Sequence, residues 1–363
     1  MKLKTTFDGL ALDNPLMPAS GPLVGDLEKL LFMADAGCGA IVTKTISTHL
    51  PNIPKPCIYA GKQHIMNSEL WSEYPLSRWT DEFLPGFMEH KDRPLIVSVG
   101  YSAKDMETLI PALDPFADAF EVSTHYVGTD LGNIAQTVKA IRERTSKPIY
   151  MKVSPHMPDP AAFAKTIMES GANGVVAVNS LGPTMNIDIS KRRVLYSNDQ
   201  GYVWTSGPAI KPLALATVHK IRQAAPDMTV IGVGGIQSAD DVIEFLLAGA
   251  DAVQMLSGAL LKGKSLYAKI IKDLPGRLKF HGFESVEDVI RTGLDIHATY
   301  EADVPVLIED KCIRCNLCVD VCPYFAITMK DVITFDPDAC TQCGLCVTKC
   351  PTGAIVMPSE ETR

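Results

Sequence analysis

Eight of the ten cysteines in this 363-residue chain lie between Cys312 and Cys350, in two copies of one spacing. Cys312, Cys315, Cys318 and Cys322, followed by Pro323, recur as Cys340, Cys343, Cys346 and Cys350, followed by Pro351. The pattern is C-x2-C-x2-C-x3-C-P, written twice. Thiolates at two-residue intervals wrap three corners of a cubic 4Fe-4S cluster, while the fourth cysteine lies too far round the turn and reaches the other cluster. Cys312, Cys315 and Cys318 therefore group with Cys350, and Cys340, Cys343 and Cys346 with Cys322. Disulfides would want a secreted chain, and zinc sites pair cysteines or mix in histidine. Two 4Fe-4S clusters are the expectation. An electron wire is of no use alone, so the rest of the chain should hold its client.

This segment resembles a bacterial two-cluster ferredoxin. The remainder is long enough for one large domain, and 46% hydrophobic with 21% charged residues describes a globular chain. A formal charge of -8 argues against a nucleic-acid partner, since neutralising phosphates takes a clustered basic face; Lys191 to Arg193 is too short a run. No apolar run follows the lysines of residues 1–10 and no stretch reaches the length of a membrane span, so a cytoplasmic protein without membrane contact is expected. Cys38 and Cys57 have no motif spacing and read as ordinary buried thiols.

Residues 4–7 and 10–12 flank Asp8-Gly9 as a small hairpin. Eight short apolar runs then alternate with segments of helical period: residues 16–19, 40–43, 95–99, 119–122, 149–153, 174–178, 230–233 and 252–256. Strands apolar on nearly every residue are covered on both faces, the habit of parallel sheets. Eight such units predict an α/β fold, a TIM (β/α)8 barrel over residues 1–303, followed by a small α+β ferredoxin-like domain over 304–358 and a tail, 359–363. An open doubly wound sheet is the alternative, but no Gly-x-Gly-x-x-Gly turn follows the first strand. The connections over about 46–93 and 181–207 exceed what joining elements requires, which places them over an active site.

Polar residues at the C-terminal ends of barrel strands face the site. Here they are Ser20-Gly21, Lys44-Thr45, Ser123-Thr124, Lys152, Asn179-Ser180, Gly234-Gly235 and Ser257-Gly258. A lysine ending an apolar strand needs an anion or an electron-rich partner. Glycine pairs ending the last two strands favour a phosphate held on backbone N–H groups. A phosphate-bearing redox cofactor beside an iron-sulfur wire points to a flavin.

Asn14-Pro15-Leu16-Met17 with Ala19-Ser20-Gly21, Val42-Thr43-Lys44-Thr45, Ile65-Met66-Asn67-Ser68, Met151-Lys152-Val153-Ser154-Pro155, Ser206-Gly207 and Val233-Gly234-Gly235-Ile236 together resemble the dihydroorotate dehydrogenase family, including the pyrimidine-reducing domain of dihydropyrimidine dehydrogenases. The resemblance implies FMN, with Ala19, Ser20, Lys44 and Thr45 along the ring and Lys152 near N1 and the C2 oxygen. Ser206, Gly207, Gly234, Gly235, Ser257 and Gly258 would hold ribityl and phosphate, and Asn67 and Asn179, with Glu69 and Ser180 beside them, the substrate. The family's acid/base motif is altered to Glu121-Val122-Ser123-Thr124-His125-Tyr126. Thr124 takes the position of the usual Cys or Ser, His125 could assist or replace it, and Glu121 and Tyr126 stand for ring-binding asparagines. A carboxylate at Glu69 or Glu121 would disfavour a carboxylated ring such as orotate.

The expected reaction interconverts a dihydropyrimidine and its C=C pyrimidine by hydride transfer at FMN, with electrons relayed through two 4Fe-4S clusters. Alternatives are reduction of another unsaturated carbonyl compound and a non-catalytic electron-transfer subunit. No nicotinamide fingerprint is visible, so a separate NAD(P)H-linked reductase or ferredoxin is the expected partner, and the family resemblance implies a homodimer.

Overall fold

In a computed structural model the structure describes residues 2–123, 128–296 and 303–358. The chain divides into two compact units, Met1–Leu294 and Asp295–Arg363.

The first unit is built on eight parallel strands, Leu16–Pro18, Ile41–Val42, Leu95–Val99, Ala119–Ser123, Ile149–Val153, Gly174–Ala177, Thr229–Val233 and Ala252–Met255, here called barrel strands 1 to 8. Strands 2 to 8 each pair with the next in sequence, and strand 8 returns to pair with strand 1. Between strands 1 and 2 the seam is held by the Gly39 N–H donating to the Leu16 carbonyl at 2.8 Å. A Cβ at Gly39 would lie 1.9 Å from the Asn14 carbonyl oxygen, so only glycine permits this approach. The Gly37-x-Gly39 pair is thus a tight turn from the helix Leu27–Asp35 into strand 2.

Helices follow the strands where an apolar stripe and a cap coincide. Asp26, Ser102, Asp159 and Ser238 cap Leu27–Asp35, Ala103–Leu113, Pro160–Glu169 and Ala239–Leu247, each side chain accepting from a backbone N–H three residues on. The strands' outward residues and these helices form one apolar layer. The inward residues Met17, Val42, Ile96, Tyr150, Val176 and Ile231 form a second, closed from below by Phe7, Leu10 and Leu12 of the N-terminal hairpin. That hairpin, Thr5–Phe7 with Leu10–Leu12, turns on Asp8 and Gly9, both at positive φ. The barrel is therefore a packed core, and its chemistry belongs at the C-terminal ends of its strands.

There the two long connections do more than cover. They pair with each other in a four-stranded antiparallel sheet ordered Leu181–Thr184, Val203–Ser206, Ile65–Asn67, Ile58–Ala60.

In the second unit the two cysteine motifs lead into the short helices Leu317–Val321 and Leu345–Lys349, and two small antiparallel strand pairs, Val306–Leu307 with Ile355–Val356 and Ile327–Met329 with Ile333–Phe335, complete it. Its buried core is Cys318, Ile327, Ile333, Cys346 and Ile355. Among the described residues no helix is long and apolar enough to cross a membrane.

Candidate active site

A cavity of about 470 Å³ opens among the C-terminal ends of the barrel strands, within the usual range for small-molecule sites. The residues expected along a flavin line it: Ala19, Ser20, Lys44, Thr45, Lys152, Ser206, Gly207, Gly234, Gly235, Ser257 and Gly258. So do the expected substrate residues Asn67, Glu69, Asn179 and Ser180. Thr124 and His125, expected to move the proton, lie outside the described residues, as does Tyr126. Ser123, just before them, lines the cavity, and its Oγ accepts from Asn179 Nδ2 at 3.2 Å.

The strand-end side chains are fixed by one another. Thr45 Oγ1 lies 2.9 Å from Ser20 Oγ and 3.0 Å from Ser98 Oγ, tying strands 1, 2 and 3 together by hydroxyls. Ser206 Oγ lies 2.7 Å from Ser257 Oγ, joining the cap sheet to the end of strand 8. Asn67, on a cap strand, donates from Nδ2 to the Trp204 carbonyl at 3.4 Å.

Both cavity lysines are ion-paired. Lys44 Nζ lies 2.8 Å from Glu69 Oε1, with side chains 6% and 12% exposed. Lys152 Nζ lies 3.1 Å from Glu121 Oε1, and Glu121 is wholly buried. This corrects the expectation for Glu121, which does not stand in the cavity wall. It sits two residues deeper on strand 4, inside the barrel, and its other oxygen accepts from Gln254 Nε2 at 2.6 Å. Strands 4 and 8 face each other across the lumen, so the carboxylate bridges the barrel's interior. The signal for Gln254 was in the sequence: a lone polar residue inside the apolar run 252–256, at a position that must find a partner. Trp71, Tyr101 and Trp204 also line the cavity and went unread; Trp71 and Tyr101 meet edge to face at 5.1 Å. Desolvation holds the Tyr101 hydroxyl above its ordinary pKa.

The residues present fit a flavin mononucleotide on three counts. The turns bearing Gly207, Gly235 and Gly258 pack backbone against backbone: a Cβ on Gly258 would meet the Ile236 carbonyl at 2.2 Å, and one on Gly235 the Gly207 carbonyl at 2.9 Å. Such a bare peptide surface suits a phosphate. Gln254 Oε1 is buried with no partner among the described residues, an acceptor waiting for a donor. Lys44 and Lys152 supply cationic donors at the same level.

In the second unit, one hollow is ringed by Cys312, Cys315, Cys318 and Cys350, and a second by Cys322, Cys340, Cys343 and Cys346. These are the groupings the motif predicted. Among the described residues no three His, Cys, Asp or Glu side chains converge where a single metal ion would sit. The backbone repeats with the motif: Arg314, Asn316 and Phe325 share positive φ with Gln342, Gly344 and Gly353. The Ala354 N–H donates to Cys350 Sγ at 3.2 Å, a bond that favours a thiolate. Outside the motif Cys38 and Cys57 are both buried, and burial pushes the Cys38 thiol up to about 12.

The sequence profile described as "Dihydroorotate dehydrogenase" matches residues 2–278, and that described as "4Fe-4S dicluster domain" matches residues 311–354. Among curated proteins, the dihydroorotate dehydrogenase B (NAD(+)) catalytic subunit of Pyrococcus horikoshii is 33% identical over 306 residues, covering 81% of this chain and 98% of that protein. Its counterpart in Pyrococcus abyssi is 32% identical over 306 residues, 81% of this chain and 100% of its own. The one in Listeria monocytogenes is 31% identical over 303 residues, 79% of this chain and 97% of its own. About a fifth of this chain has no counterpart in these relatives.

Proposed function

This chain belongs to the dihydroorotate dehydrogenase family, and from that premise we propose that it interconverts a neutral dihydropyrimidine and its pyrimidine, exchanging electrons through two 4Fe-4S clusters. Bound FMN would supply the hydride chemistry and the conversion between electron pairs and single electrons. The chain's own residues do the rest. Ala19, Ser20, Lys44 and Thr45 align the ring, Lys152 donates at its N1 edge and favours the reduced anion, and Ser206, Gly207, Gly234, Gly235, Ser257 and Gly258 take ribityl and phosphate. Asn67 and Asn179 each present a donor and an acceptor to the lactam edges of the substrate, with Glu69 and Ser180 beside them. Thr124, aided by His125, moves the proton at the carbon adjacent to the one that exchanges hydride. Cys312, Cys315, Cys318 and Cys350 hold one cluster, and Cys322, Cys340, Cys343 and Cys346 the other.

One observation carries the choice of a neutral ring: each cavity lysine already faces a carboxylate, Lys44 with Glu69 and Lys152 with Glu121. A ring carboxylate entering here would meet Glu69 and find no unmatched cation among the described lining residues. The relatives' names favour a second reading, dihydroorotate itself. Anaerobic addition of dihydrouracil, dihydrothymine or dihydroorotate to the FMN-loaded protein separates the two. Bleaching of the flavin by the neutral rings in preference to dihydroorotate is expected; bleaching by dihydroorotate alone would replace the first reading with the second. The relatives are named subunits of an NAD+-linked enzyme, and no nicotinamide fingerprint is seen here. A separate NAD(P)H-linked reductase or ferredoxin therefore serves as electron partner, to a homodimer in the cytoplasm.

A further inference from the structure

Beneath the cavity, Glu121 stands between two residues that reach its floor. Its Oε1 accepts from Lys152 Nζ at 3.1 Å and its Oε2 from Gln254 Nε2 at 2.6 Å. Glu121 and Gln254 are fully buried and Lys152 is 7% exposed, while Lys152 and Gln254 line the cavity and Glu121 does not. A carboxylate offers only acceptors, so it fixes which way the Gln254 carboxamide turns: the NH2 group must face Glu121 and the oxygen must face away. That oxygen has no hydrogen-bond partner among the described residues. Lys152 uses one of its three N–H groups on Glu121, and its side chain also lines the cavity.

We infer that Glu121 is a positioning residue that makes the cavity floor read a cyclic imide edge, with Lys152 donating to a ring carbonyl and Gln254 Oε1 accepting from the adjacent ring N–H. The pyrimidine portion of a flavin carries such an edge, a carbonyl beside an N–H, so the inference rests on FMN occupying the cavity. Glu121 also sets the charge at that edge. Its negative charge offsets Lys152, so the floor favours the anionic reduced ring less than a bare ammonium would. Positioning and charge act on different measurements. Losing the acceptor weakens binding of both redox states equally, whereas losing the carboxylate's charge favours the reduced state alone.

The test compares Glu121→Gln and Gln254→Met in protein stripped of FMN and titrated with FMN, and in reloaded protein by anaerobic redox titration. Gln254→Met should weaken FMN about tenfold, the scale of one lost hydrogen bond to a buried acceptor, with the reduction potential unchanged. Glu121→Gln should raise the ratio of reduced to oxidised affinity at least about tenfold, equivalent to roughly 30 mV for a two-electron couple. A potential that stays put or falls in Glu121→Gln, or an unchanged FMN affinity in Gln254→Met, overturns the inference. A purely structural Glu121 would lower the melting temperature without moving the potential. Should Glu121→Gln not fold, Gln254→Met alone decides. Protein that holds FMN yet oxidises no dihydropyrimidine would defeat the substrate reading and leave this test intact.

Discussion

Lys152 illustrates how much one side chain is asked to do. Its ammonium is buried opposite a wholly buried carboxylate, and removing one partner of such a pair strands the other charge in the barrel. Lys152→Met in FMN-free protein should cost about 3–5 kcal/mol in urea unfolding. The double variant Lys152→Met/Glu121→Gln should recover most of it; a single variant as stable as the parent would mean the carboxylate is not charged there. Cys38 makes the opposite case, a residue with nothing to do. With burial pushing its thiol up to about 12, almost no thiolate forms at pH 8, and the thiolate is the nucleophile. Iodoacetamide should therefore leave Cys38 unlabelled in the native protein and label it in urea, read by peptide mass; rapid native labelling would contradict its buried position. Lysines at strand ends were legible because a charge closing an apolar run is conspicuous. Glu121 was read from a motif instead, and the motif did not say that two residues of strand separate the barrel's interior from its mouth.

At the scale of elements, the eight strands stood out because parallel strands covered on both faces leave unbroken apolar runs. The hairpin at Asp8-Gly9 stood out because its turn requires positive φ. The cap sheet did not. Its strands are three or four residues long, come from two distant connections, and pair in a way no local pattern records, as Trp204 opposite Asn67 shows. The helix Ala103–Leu113 fills the helical segment expected between strands 3 and 4, and Ser102 and Asp105 form a reciprocal cap at its start. The seam between strands 1 and 2 is the barrel's most exacting junction, since the Gly39 N–H bond to Leu16 sits beside a close backbone contact. Gly39→Ala should overpack it and lower stability by about 1–3 kcal/mol, measured by thermal unfolding of the barrel signal. An alanine variant that melts with the parent would show that the seam can give.

Over the whole molecule, the two compact units differ in what holds them. The first has two extensive apolar layers, while the second has a core of five buried side chains, two of them cysteines of the motif. So small a core needs its metal. Anaerobic removal of iron should therefore abolish protection of the amides in residues 303–358 from hydrogen exchange while sparing the barrel strands; equal protection with and without iron would contradict this. The double cysteine motif made this unit legible from sequence, and the strand ends did the same for the cavity. The central claim is that the barrel passes electrons between a dihydropyrimidine and the clusters. Its most direct measurement is anaerobic addition of dihydrouracil to protein loaded with FMN and iron, followed by optical and electron paramagnetic resonance spectra. The account predicts loss of flavin absorption together with appearance of the reduced-cluster resonance, and both absent when Thr124 is replaced by valine. A flavin that stays oxidised, or clusters that stay silent while the flavin bleaches, would contradict it.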